Sequence, residues 1–132
     1  MERLERDAAD VERVLTEFAH EANGGIIVTP SPLTATRRDV IIQAAAQLRL
    51  PAIYSFRFYA ASGGLISYGI DQLETVGEAA GYVDRILRGA SPGDLPVQLP
   101  TQYQLVINLK TAKTLGLNIP ESFLQRADEV IE

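Results

Sequence analysis

Short apolar runs set between helix-length stretches with one apolar face constrain this chain more than any other feature. Ile26-Ile27-Val28-Thr29 is β-branched throughout and does not alternate with polar residues. Such a run suits a strand buried on both faces, as in a parallel sheet. Before it, Val11, Val14, Leu15, Phe18 and Ala22 recur at the spacing of one helix face. Asp7 stands where an N-cap would, Asp10 favours the positive helix end, and Asn23-Gly24-Gly25 supplies a left-handed stop.

The alternation continues. Pro30 to Thr36 reads as a loop, and Arg37 to Leu48 as a helix with Val40, Ile41, Ala44, Ala45 and Leu48 inward. Ala52-Ile53-Tyr54-Ser55-Phe56 follows Pro51 as the next strand, Ser62-Gly63-Gly64 marks a turn, and Leu65-Ile66-Ser67-Tyr68 is a third apolar run. Gln72 to Arg88 is the strongest helix, with Leu73, Val76, Ala80, Val83 and Leu87 in one stripe and Gly89 behind it. Ala90 to Pro100 holds three of the seven prolines and reads as an extended connection. Tyr103 to Leu109 reads as a strand, Asn108 to Gly116 as a short helix, and Pro120 as the first turn of a last helix towards Glu132. Helices alternating with short apolar strands predict an α/β domain: a parallel, doubly wound sheet in three layers, with helices on both faces.

At 132 residues the chain fits one domain, and it holds no internal repeat. A net charge of −5 argues against nucleic-acid binding, which needs clustered cations. The chain has no Cys, so disulfides, thiolate nucleophiles and cysteine zinc sites are excluded. Its one histidine, His20, lies at the end of the first helix, and Glu17 with Glu21 reads as solvated charge; no metal site or cofactor is expected. No run reaches the eighteen or so apolar residues of a membrane helix, and Met1 to Asp7 lacks the apolar core of a signal peptide, so the chain as written is expected to stay cytoplasmic. Neither a GxGxxG nor a Walker loop nor a GxSxG elbow occurs. Thr29, Phe56 and Asn108 stand where a phosphorylation receiver would need carboxylates.

Ligands of a parallel α/β sheet bind at the carboxyl ends of its strands. That rule selects the loops Thr29 to Thr36, Ser55 to Phe58, Tyr68 to Asp71 and Asn108 to Thr111. Thr29, Ser31, Thr34, Tyr54, Ser55, Phe56, Tyr68 and Asp71 are polar or aromatic and mostly uncharged. Hydroxyls can meet a carboxylate, Asp71 an ammonium group, and rings an apolar body, which suits reversible binding of a small zwitterion better than bond-breaking. Arg57 could pair with a ligand carboxylate. The structural alternatives stay open: Tyr54 and Phe56 as core, Thr34 or Thr36 and Asp71 as helix caps, Arg57 in a surface ion pair, and Lys110, Thr111 and Lys113 flanking a helix.

Seven strings stand in a familiar order: Arg38 to Ile42, Leu50 to Tyr54, Gly63 to Gly69, Ala80 to Ala90, Asp94 to Val97, Leu105 to Lys113 and Arg126 to Ile131. Together they resemble the C-terminal part of ABC-transporter substrate-binding proteins, the family related to importers of tryptophan and other amino acids. The resemblance implies a two-lobed, type I periplasmic binding protein that closes on its solute like a hinge, and an ABC permease as partner. It assigns residues 1–67 and 98–132 to the second lobe, and 68–97, with the long helix, to a crossover into the first. It also implies ligand contact at Ser31, Tyr54, Ser55, Phe56, Tyr68 and Asp71, a periplasmic location, and no catalysis. An α/β interaction module that has kept the scaffold and lost the ligand is the alternative.

The resemblance covers nearly the whole chain, and it implies a second lobe held in part, without a lipid-attachment Cys or the start of the first lobe. The stripe from Leu73 to Leu87 would then face solvent and forfeit roughly 5–10 kcal/mol of burial. A homodimer through the helix 72–88 is the expected remedy.

Overall fold

The computed structural model describes residues 8–20 and 23–132. The N-cap expected at Asp7, and the places given to Glu21 and Ala22, lie outside the described residues. The fold is mixed α/β: a five-stranded, mostly parallel sheet in the order β1-β2-β3-β4-β5, flanked by helices.

In chain order the elements are α1 (Ala8–Phe18), β1 (Ile26–Val28), α2 (Pro32–Thr36), α3 (Arg38–Gln47), β2 (Ala52–Tyr54), α4 (Arg57–Ala61) and β3 (Ile66–Ile70). There follow α5 (Gln72–Leu87), β4 (Tyr103–Asn108), α6 (Leu109–Leu115), α7 (Glu121–Leu124) and β5 (Glu129–Ile131). Left-handed residues follow α3, α4, α5 and α6: Arg49, Gly63, Gly89 and Gly116 all have positive φ. Three elements differ from expectation. The Pro30–Thr36 loop contains α2, whose start is a capping box: the Ser31 hydroxyl accepts from the Thr34 amide and the Thr34 hydroxyl from the Ser31 amide, with Pro32 leading the helix. The second strand ends at Tyr54, and Arg57 begins α4. The expected last helix stops at Leu124, because the Asp128 amide donates to the Leu105 carbonyl and its carboxylate accepts from the Leu105 amide, drawing Glu129 to Ile131 into the sheet.

Each register row alternates between faces. Val28, Tyr54, Ser67, Val106 and Glu129 share one row, and Ile27, Ile53, Ile66, Ile107 and Val130 the next. The core lies on the first face: Val28, Ala52 and Tyr54 pack with Val11 and Leu15 of α1, Ile41, Ile42, Ala44 and Ala45 of α3, and Tyr59 of α4. On the second face Ile107 is fully buried, whereas Ile27 on the edge strand is 77% exposed. Burial on both faces, expected for the Ile26–Thr29 run, therefore holds at β4 and not at β1.

One pair departs from a wholly parallel sheet: β3 and β4 are antiparallel. The chain leaves the sheet after Ile70 and re-enters at the same end, where the Asp71 amide donates to the Gln102 carbonyl. A chain returning to the end it left must run back along its neighbour. Between these points α5 buries no residue; Leu73 and Leu87 are 85% and 81% exposed. The Tyr82 hydroxyl ties it to the strap behind it, donating to the Pro96 carbonyl at 2.5 Å.

The Ser67 hydroxyl sits on the buried face of β3 without a hydrogen-bond partner among the described residues. An unpaired buried hydroxyl costs more than the methyl that would replace it. Ser67→Ala should raise stability by about 1 kcal/mol and Tm by about 2–5 °C in thermal denaturation followed by circular dichroism. A loss of stability would mean that the hydroxyl has a partner.

Candidate functional site

Three parallel strands end together at one edge of the sheet, and β4 and β5 begin there. This reverses one expectation. The Asn108–Thr111 loop lies at the opposite edge, because β4 runs against β3, so Asn108 does not belong with the ligand-side loops. It serves structure there: buried, it accepts from the Thr111 amide to cap α6 and donates to the Ala60 carbonyl, each at 3.0 Å. Gln104 near the start of β4 and Glu129 at the start of β5 take its place at the site edge.

A cavity of about 300 Å³ opens at this edge, lined by Arg57 and Phe58 of α4, Ile70 and Asp71 after β3, Gln72 and Leu73 of α5, and Gln104. Phe58 supplies an aromatic wall. Its ring stacks on Tyr59 at 4.5 Å and on Phe56 at 5.6 Å between centroids, with the Arg38 guanidinium over its face. Asp71 fixes the entry of α5: its Oδ1 accepts from the amides of Leu73 at 2.9 Å and Glu74 at 3.3 Å. Its Oδ2 has no partner among the described residues.

Arg57 forms the strongest polar contact at the site. Its Nε and Nη2 donate to the two carboxylate oxygens of Glu129 at 2.6 and 2.7 Å, a bidentate fork across 72 residues of chain. The Glu129 carboxylate holds the guanidinium pKa above its ordinary value, so Arg57 stays charged throughout the physiological range.

The remaining expected residues are placed as follows. Ser31 caps α2, and Thr34 is buried in the same box. The Ser55 hydroxyl donates to the Val28 carbonyl, tying the ends of β1 and β2. Tyr54 is 2% exposed and stacks on Tyr59, with centroids 5.0 Å apart, so its ring is core. Burial, with Tyr59 nearby, pushes its phenol up to about 12, and it stays protonated at neutral pH. Phe56 is partly buried against the core, and Tyr68 lies on the second sheet face, stacked on Tyr103. Asp71 alone of the expected set lines the cavity; Arg57, Phe58 and Gln104 join it. His20 is exposed and remote in topology, and Glu17 pairs with Arg13. No group of His, Cys, Asp and Glu that could hold a metal exists among the described residues.

A family model described as ABC transporter substrate binding protein matches residues 2–131. Among solved structures, a conserved domain protein from Vibrio cholerae O1 biovar El Tor str. N16961 is 31% identical with a TM-score of 0.80, over 94% of this chain and 42% of that one. The ABC domain in complex with L-Trp from Streptococcus pneumonia is 28% identical with a TM-score of 0.83, over 95% and 42% of the two chains. CD0873 from Clostridium difficile, a substrate binding protein with adhesive properties in its ligand-free, open form, shares the fold at 18% identity with a TM-score of 0.70, over 100% and 43%. This chain thus spans about 42% of the length of the first two. A comparison with curated proteins finds no match.

Proposed function

Because this chain belongs to the ABC transporter substrate-binding protein family, we propose that it forms one wall of a cleft that reversibly binds a small organic solute for an ABC-type permease. The cavity at the strand ends carries this reading, since it combines apolar walls with an unpaired oxygen of Asp71. Asp71 would hold an ammonium group, and Phe58 and Leu73 would cover an apolar body. Ser31 and Ser55 would act indirectly, by shaping the loops around it. An amino acid or aromatic acid is the solute class, in line with the L-Trp held by the Streptococcus pneumonia neighbour. A non-catalytic role and a periplasmic place of work accompany this reading.

Calorimetric titration of the chain with L-tryptophan, other amino acids and aromatic acids tests it. Asp71→Asn keeps a good helix cap while removing the charge. It should weaken ammonium-bearing solutes about tenfold and leave Tm almost unchanged. No heat with any member of the panel would contradict the proposal.

The exposed stripe of α5 favours a second reading, an interaction surface. We assign the excursion containing α5, expected over 68–97, to the first lobe, and propose that in this chain alone α5 pairs with a second copy. Leu73, Val76, Val83 and Leu87 are exposed in one stripe. Glu74 and Glu78 occupy its first half and Arg85 its second, where Arg88 and Asp84 pair with each other, so an antiparallel two-fold pair sets Arg85 against the acidic half of the partner. Light scattering at micromolar concentration should give a dimer. Val76→Glu with Val83→Glu should give a folded monomer with unchanged circular dichroism, since α5 buries nothing. A monomeric parent chain would sink the pairing.

A further inference from the structure

The bidentate fork does not exhaust Arg57. A guanidinium carries five N–H donors, and Glu129 takes one from Nε and one from Nη2. The outer edge, both hydrogens of Nη1 and the second of Nη2, has no partner among the described residues. That edge matches a second carboxylate without displacing the first. Glu129 meanwhile removes the rotational freedom that a long, half-exposed Arg side chain would lose on binding. Arg57 also lines the cavity with Asp71, whose Oδ2 is unpaired.

We propose that Arg57 is the carboxylate receptor of this site, held in orientation by Glu129, so that the solute taken here carries a carboxylate as well as an ammonium group. The inference rests on the solute-binding reading and narrows it. Two carboxylates and one guanidinium leave the site with a net negative charge, so a zwitterion fits better than a plain acid. A dicarboxylate without an amine is disfavoured. Phe58 beside the fork suits an apolar or aromatic side chain. Arg57 sets specificity, and Glu129 acts through it as a positioning residue.

Matched probes test this by calorimetry: L-tryptophan against tryptamine, which lacks the carboxylate, and against indole-3-propionic acid, which lacks the amine. The wild-type chain should prefer L-tryptophan to either. Arg57→Lys keeps the charge but loses the planar fork; it should weaken L-tryptophan about tenfold or more and leave tryptamine unchanged. Glu129→Gln should reduce the preference for L-tryptophan over tryptamine by a smaller factor, at unchanged Tm. A purely structural role for Glu129 would lower Tm and weaken all three probes alike. If Arg57→Lys binds L-tryptophan as the wild type does, the receptor assignment falls and the solute-binding reading stands. If tryptamine binds the wild-type chain as tightly as L-tryptophan, the carboxylate requirement falls. If the wild-type chain binds none of the three probes, nor any of the amino acids and acids of the wider panel, both readings fall together.

Discussion

Gly69→Ala should prevent the chain from folding, or leave it destabilised by about 4 kcal/mol or more, the range reserved for changes that force backbone apart. A Cβ at this position would lie 1.8 Å from the Ser55 carbonyl oxygen and 2.9 Å from its carbon. Both are backbone atoms, so no side-chain rotation relieves the clash. Ser55 is pinned in turn by its hydroxyl on the Val28 carbonyl, so a shift there propagates to β1. The strand end that moves leads directly into Ile70 and Asp71, which line the candidate site. Gly77→Ala is the control: it lies in α5 with nothing within 4 Å of its Cβ, and a helical Gly→Ala there should gain about 0.5–1 kcal/mol. Thermal denaturation of the two variants should thus give shifts of opposite sign. Wild-type Tm in the Gly69→Ala chain would mean that β2 and β3 do not approach as closely as described.

Asn108→Ala should cost about 2–3 kcal/mol, the sum of a lost helix cap and a lost buried hydrogen bond. The Asn108 amide nitrogen donates to the Ala60 carbonyl while its carbonyl oxygen caps α6, so one side chain joins β4, α6 and α4. Asn108→Asp separates the two roles. The carboxylate still caps the helix, but the oxygen replacing Nδ2 faces the Ala60 carbonyl with no proton to offer. Burial and that carbonyl raise the folded-state pKa of the introduced carboxyl above its unfolded value of about 4. The destabilisation is therefore full above the folded pKa and is relieved as pH falls through it. Denaturant unfolding from neutral to mildly acidic pH should show this variant recovering towards low pH relative to wild type. Equal losses at both ends would place the amide in the opposite orientation.

These two positions also mark the limits of what is legible in the chain. Helices α3 and α5 are readable because ten residues or more carry a full apolar period, and Pro51 beyond α3 and Gly89 beyond α5 mark their ends. Short α2 and α4 have five residues each, too few for a period to register against loop composition. The Ser31-Pro32 start signal stands before α2, but its residue types serve a loop equally well. Strand β5 reads as helix in sequence because three residues carry no periodicity of their own; pairing with β4 decides their state. Direction along the sheet is the costliest omission. No local preference tells β4 to run against β3, and that reversal moves Asn108 away from the site edge and brings Gln104 and Glu129 to it.

At the site, Asp71 is legible because a capping residue before a long helix is visible in sequence. Tyr54 and Phe56 look the same in sequence whether they face a ligand or the core; the stack on Tyr59 puts Tyr54 in the core. The Arg57–Glu129 fork is out of reach, since its partners are 72 residues apart and only the closed sheet joins them.

The most direct test of solute binding is a native mass spectrum of the purified 132-residue chain, followed by denaturation of the same sample and identification of what it releases. Binding at the Asp71 cavity predicts a bound small molecule carrying both an ammonium group and a carboxylate, depleted in the Asp71→Asn chain, and uptake of added L-tryptophan by the wild type. A chain that carries nothing and takes up none of the amino acids or aromatic acids would contradict solute binding and leave the α5 interaction surface as the functional feature.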